Sequence, residues 1–238
     1  MLGTIINAAG IAAGAVVGAL AKKRLKLSAM ETVNKLMGVV ILIFGFNGVV
    51  SSMFTVNPDG TLTSEGGLLL LVSVVAGTFL GGALRLEERL SGLGGWVEKR
   101  FHMEGFARGF VSSSILYCTG AMAIIGAVSD SLRGDPSTLI AKAVMDAIIS
   151  VAAAASMGIS VAFSAVSVFL YQGAISVCAG LLEPYLSAAL LNDISMVGYA
   201  LLIGLGLNWA CGSKIKTADT LPSLLIPILF NVLSVWRK

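Results

Sequence analysis

Eight stretches of this chain run for about twenty residues with almost no charge, the length an α-helix needs to cross a hydrocarbon core ~30 Å thick. They cover Gly3–Ala21, Val33–Phe54, Gly67–Leu86, Ala107–Ser129, Ser137–Gly158, Ile159–Leu182, Met196–Gly212 and Leu221–Trp236. The last is short and carries Pro222 and Pro227, so it reads as a bent crossing or as a re-entrant segment. None of the runs shows the roughly ten-residue alternation of an outer-membrane barrel. Only 12% of the residues are charged, against about 25% in a soluble domain. The expected fold is all-α: one polytopic transmembrane bundle over residues 1–238, with seven spans and a possible re-entrant eighth.

Loop charge orients the bundle, because basic loops stay in the cytoplasm. The first apolar run has no charge before it and "KKRLK" after it, the order of a retained helix rather than of a cleaved signal. Basic loops at 22–35, 85–108 and Lys214–Lys216 alternate with acidic or mixed loops at 55–66, 131–136 and 183–193. The pattern puts the N-terminus outside; Arg237 and Lys238 then fall on the less favourable side. Residues 86–106 mix charge with Leu86, Leu90, Leu93 and Val97, and read as a cytoplasmic amphipathic segment interrupted by glycines, or as a polar loop.

A net charge of +3 is too small to imply a nucleic-acid partner. Cys118, Cys178 and Cys211 have no CxxC spacing and His102 is the single histidine, so no metal site or cofactor is expected. Gly10, Gly14 and Gly18 form a small-residue ridge for helix packing, within the chain or across a homodimer or higher oligomer. Gly77 and Gly81 repeat the spacing. The opening helix, basic loop and Phe46-Asn47 have a counterpart in "VGYALLIGLGLNWACG", a basic loop and Phe230-Asn231, which leaves an internal repeat open.

The sharpest chemical signal is Asp146. Nine residues into the fifth span it lies ~14 Å deep, close to the bilayer midplane. A carboxylate there costs about 2.5–3.5 kcal/mol even on the lenient insertion scale, so it implies a polar route, a cation or a partner. Lys142 is four residues earlier on the same face and can form an intrahelical pair that merely pins the bundle. Alternatively, both residues lie shallow and Lys142 snorkels outward.

Asp130 and Asp135, in "SDSLRGDP", read as an acidic outer mouth or as turn and helix-start residues. Asn7, Thr119, Gln172 and Asn208 are further polar groups that can line a solute path or bond neighbouring helices. No Walker loop, nucleophile elbow or HExxH is present, and no acid/base constellation points to an enzyme.

"GTIINAAGIAAGAVVGAL", "YCTGAMAIIGAVSDSLRGD…LIAKAVMDAIIS", "YQGAIS" and "LPSLLIPILF" together resemble the YdfK/YqgA-type bacterial membrane proteins, the domain-of-unknown-function family DUF 554. The resemblance covers essentially the whole chain. It implies a bacterial or archaeal cytoplasmic membrane and supplies no mechanism. The motif positions it marks are Asn7, Cys118, Thr119, Gly120, Asp130, Gly134, Asp135, Lys142 and Asp146. The expected function is a secondary transporter or permease for a small cation or polar solute, proton- or sodium-coupled through Asp146. A passive channel and a non-transporting regulatory membrane protein are the alternatives.

Overall fold

A computed structural model describes residues 1–22, 27–101, 105–118, 121–182, 184 and 186–235. In chain order the elements are α1 (Leu2–Lys22), α2 (Leu27–Met53), β1 (Phe54–Val56), β2 (Leu62–Ser64), α3 (Gly67–Ala83), α4 (Leu86–Phe101), α5 (Phe106–Cys118), α6 (Ala121–Leu132) and α7 (Ser137–Met157). A 3₁₀ segment (Ile159–Phe163) leads into α8 (Ser164–Val177), then come α9 (Ala179–Leu182) and α10 (Ala188–Cys211). A second 3₁₀ segment (Thr217–Leu225) precedes α11 (Ile226–Val235).

Among the described residues, α1, α2, α7, Ile159–Val177 and α10 are long and apolar enough to cross a membrane. Two further crossings are bent pairs: α3 with the start of α4, at 52°, and α5 with α6, at 64°. The total is thus five spans, or seven if each bent pair crosses once. The expected eighth span is not one α-helix. It starts as the 3₁₀ segment that contains Pro222 and continues as α11. The seventh begins at Ala188, eight residues before the expected Met196, because the Ser187 side chain accepts from the Leu190 N–H and caps α10 there. Asp193 therefore sits inside a helix rather than in a loop. Similarly, α4 runs unbroken through Gly92, Gly94 and Gly95.

The helices bury small and polar side chains and turn large apolar ones outward, the reverse of a water-soluble core. On α7, Leu139, Lys142, Ala143, Asp146, Ser150 and Ala153 face the protein. Val144 and Ile148, on the opposite face, are 58% and 67% exposed. On α3, Ser73, Gly77 and Gly81 are buried while Leu68 and Phe79 point out. Lipid solvates an outward Phe as well as another helix would, so packing between helices falls to residues that let backbones approach.

The glycine ridge of α1 meets α7 within the chain. A Cβ on Gly14 would lie 2.3 Å from the Ala147 carbonyl oxygen, and one on Gly18 would lie 2.1 Å from that of Val151. Gly3 opposes Leu139 and Gly10 opposes Ala143, so contacts advance together along both helices and α1 runs parallel to α7. Gly38 and Gly48 of α2 instead meet Ala210 and Tyr199 of α10, an antiparallel pair. Gly77 and Gly81 meet Ser223 and Asp219 of the second 3₁₀ segment, also antiparallel.

These pairings sort the connections onto two ends. One end holds Met1, Asp130, Ser137 and the β1–β2 hairpin, just before which the end of α2 is tied to α10 by the bond from Asn192 Nδ2 to the Ser52 carbonyl. The other holds Lys22, Gly158, Cys211 and the junction of α3 with α4. The hairpin closes through Asn57-Pro58-Asp59-Gly60, with Gly60 at φ +80°, the left-handed turn position glycine adopts freely. The two segments compared as repeats hold unlike environments, since α1 packs along α7 whereas α10 packs along α2 and α11.

A side chain at the α1–α7 contact should unseat the bundle. Gly14→Leu is expected to lose several kcal/mol or fail to fold, because overpacking alone costs about 1–3 kcal/mol and here the obstacle is backbone. Gly82→Ala, at a position with open space around it, should change stability by no more than about 1 kcal/mol. Thermal unfolding of both variants in detergent micelles checks the pair, and equal effects would contradict the contact described.

Candidate functional site

Spacing on α7 sets up the site. Lys142, Asp146 and Ser150 are four residues apart and share one face, and that face lies in the protein interior. Lys142 is 7% exposed and Asp146 is 4% exposed. The Lys142 ammonium donates to both carboxylate oxygens of Asp146, at 3.0 Å to Oδ1 and 2.7 Å to Oδ2. Asp146 lies nine residues along α7, a depth of ~14 Å. The pair is thus buried in the protein, and Lys142 turns to Asp146 rather than outward.

Helices α1 and α5 pack beside it, and α8 packs against both of these. From α1, the Asn7 side chain turns to the Asp146 carboxylate. From α5, the buried Tyr117 hydroxyl meets the Ser150 hydroxyl at 2.7 Å, and Cys118 lies within electrostatic reach of Lys142 and Asp146. From α8 comes Gln172. The bond from Ser114 to Ser167, at 3.0 Å, and that from Ser176 to the Ala127 carbonyl, at 3.2 Å, bracket it. Gln172 is thus level with the interruption between α5 and α6. There α5 ends after 13 residues, and α6 continues at an angle of 64° to it.

The amides stand out energetically. Asn7 and Gln172 are fully buried, and the Gln172 amide and the Thr4 hydroxyl have no hydrogen-bond partner among the described residues. Leaving a buried polar group unsatisfied costs about 1–3 kcal/mol.

The ends of this four-helix group differ. Toward Met1 the closure is polar: Asp130 Oδ2 accepts from the Gly3 N–H at 2.8 Å and pairs with the Met1 ammonium at 3.1 Å. Ser131 donates to the Ser176 carbonyl beside it, at 2.7 Å. Toward Lys22, Ile11, Ala15, Ala153, Ala154, Val161 and Val168 are all fully buried, interleaved with the buried serines Ser150, Ser160 and Ser164.

The remaining residues singled out in the sequence lie apart from the pair. Asp130 is 6% exposed and caps the start of α1, so it is not an open surface charge. Asp135 is exposed and accepts from Ser137 at the start of α7; hydrogen bonds from the Ser137 side chain and backbone hold its carboxyl below the usual range. Asn208 is closed in a two-bond clasp with the backbone of Ile215, at 2.8 and 2.9 Å. Thr119 lies outside the described residues. A cavity of about 450 Å³ between α2, α6 and α10 is lined by Asn47, Ser51, Asn192 and Tyr199 and includes neither Lys142 nor Asp146.

Sequence reading passes over several partners. Ser150 continues the four-residue spacing of Lys142 and Asp146, and that spacing could have found it. Tyr117 gives no such signal. Nor does the reciprocal cap at the opposite end, where the Glu87 N–H donates to buried Asp219 at 2.8 Å and the Ala218 N–H to Glu87 at 2.9 Å.

Comparison with known proteins places the whole chain. The profile of the family described as "Protein of unknown function (DUF554)" matches residues 2–232. The chain is 32% identical over 227 residues to a Bacillus subtilis (strain 168) protein titled "Uncharacterized membrane protein YdfK", covering 95% of this chain and 94% of the relative. It is 28% identical over 232 residues to "Uncharacterized protein YqgA" of Escherichia coli (strain K12), with the same coverage. No solved structure matches the chain.

Removing one member of the ion pair strands the other. Asp146→Asn is expected to cost about 3–5 kcal/mol, while Lys142→Met combined with Asp146→Leu should recover most of it, because a buried pair is replaceable by apolar groups. Unfolding titrations of the three proteins in mixed micelles test this. A double variant as unstable as the single one would mean that other groups share the charge.

Proposed function

The chain belongs to the DUF554 family, and we propose that this multi-pass membrane protein is a secondary transporter or permease for a small cation or polar solute. The Lys142–Asp146 pair is its buried ionisable element, and a proton or a sodium ion is the simplest coupling partner. One observation supports the reading: a fully buried Lys–Asp pair has the Asn7 amide alongside it, and the same helix group buries the unpaired Gln172 amide next to the bend between α5 and α6. Groups that handle a solute in transit keep bonding capacity free, and broken helices supply it at the midplane of many carriers.

The two closures suggest the order of access. The polar layer of Asp130, Gly3, Ser131 and Ser176 hydrates at low cost when it parts. The apolar layer of Ile11, Ala153 and Val161 must separate helices packed backbone to backbone. On this reading the site opens first toward the Met1 end, which loop charge assigns to the outside. Asp130 then serves as part of the outer closure, and Asp135 as a charge beyond it. No step of the proposal calls for an enzyme's nucleophile.

Opposite effects on stability and flux test this function. Gln172→Leu removes an unsatisfied amide and should raise stability by about 1 kcal/mol, whereas Asn7→Leu removes the amide beside Asp146. Each should nevertheless slow flux. The protein is reconstituted in proteoliposomes holding an internal pH dye, and ion movement is followed after imposed proton and sodium gradients with a mixture of small amines, amino acids, carboxylates and polyols. The wild-type chain should show solute-dependent movement. The folded double variant Lys142→Met/Asp146→Leu should show none. Undiminished flux in that double variant removes the proposal.

A further inference from the structure

Resting on the transport reading above, we infer that the solute is a small zwitterion, an amine and a carboxylate on one molecule, whose two charges take the place of the Lys142–Asp146 contact. The pair as it stands is bipolar and carries no net charge. Lys142 spends two of its three N–H donors on Asp146, and Asp146 receives both through its two oxygens.

Consider a lone cation entering this site. It must bind Asp146, and in doing so it leaves the Lys142 ammonium bare, buried and adjacent to a like charge. A lone anion at Lys142 strands Asp146 in the same way. Either exchange ends with an unpaired charge in a low-dielectric interior, which is the costly state. A zwitterion avoids it. Its carboxylate accepts from the Lys142 ammonium as its own ammonium donates to Asp146, so each buried charge holds an opposite partner throughout. No proton changes place and no bond is made or broken.

The surrounding groups are bipolar too. The amides of Asn7 and Gln172 each offer an NH₂ donor and a carbonyl acceptor; Asn7 sits at the Asp146 carboxylate, and the Gln172 amide is buried without a hydrogen-bond partner among the described residues. A zwitterion uses both kinds: carboxylate lone pairs take amide N–H groups, and the remaining ammonium hydrogens take amide oxygens. A bare metal cation uses only the oxygens.

Uptake of radiolabelled alanine and glycine by proteoliposomes, compared with ethylamine, propionate, rubidium and sodium, tests the inference. Saturable alanine or glycine uptake is expected, competed by the other amino acid and not by ethylamine or propionate. Lys142→Met should lower it roughly a hundredfold, the scale set when a buried charge loses its partner, and should admit ethylamine in its place. The exchanged pair Lys142→Asp/Asp146→Lys keeps one charge of each sign and should retain part of the amino-acid uptake. Uptake of ethylamine, rubidium or sodium by the wild-type chain without any amino-acid uptake would overturn the zwitterion and leave the transporter standing. If none of the probes moves through the wild-type chain, both fall together.

Discussion

The α1–α7 contact is the constraint from which the rest of the interior follows. Two parallel helices lie close enough for Gly14 and Gly18 to face carbonyl oxygens of Ala147 and Val151. Lipid provides no hydrophobic drive to hold helices together, so close backbone approach and the polar contacts it permits must do so. The same contact closes α7's polar face against α1. Lys142 and Asp146 are thereby removed from lipid and left with each other, with Asn7 alongside. A bulkier α1 would hold the helices apart and expose to hydrocarbon the charges it now covers.

That geometry produces an interior electrically unlike a simple cation path. Beside the pair, the neutral members carry both donors and acceptors. Charge balance allows the buried pair to exist at all, since either ion alone would be expelled or neutralised. It also narrows what can be exchanged for it. The unsatisfied amide of Gln172 lowers stability in the closed form.

Much of the bundle was legible in the sequence. Residues 3–21 and 137–158 announce themselves by length and lack of charge, and α1 and α7 match them closely. The depth of Asp146 also follows from counting, because helical rise is fixed. Less legible was anything set by short-range backbone competition. Ser187 starts α10 early, Arg85 takes a left-handed φ of 51° between α3 and α4, and residues 217–225 tighten into 3₁₀ turns. Asp130 shows the other kind of gap. As a residue before a turn it looks like a surface acid, yet a helix 127 positions away supplies the N–H it accepts.

By itself, then, the amino-acid sequence determined that the chain lives in a bilayer as a helical bundle, which ridge of α1 is smooth, and that an acid and a base share one turn of α7. Those are properties of composition and of a fixed 3.6-residue period, which a single segment carries without its neighbours. Only the tertiary structure decided that the ridge faces α7, that Tyr117 reaches Ser150, that Asn7 comes to Asp146, and that the Gln172 amide is buried without a partner among the described residues. Which helix lies against which depends on contacts between residues far apart in the chain. No local pattern encodes such a contact, because each apolar helix face is compatible with several partners until the backbones meet.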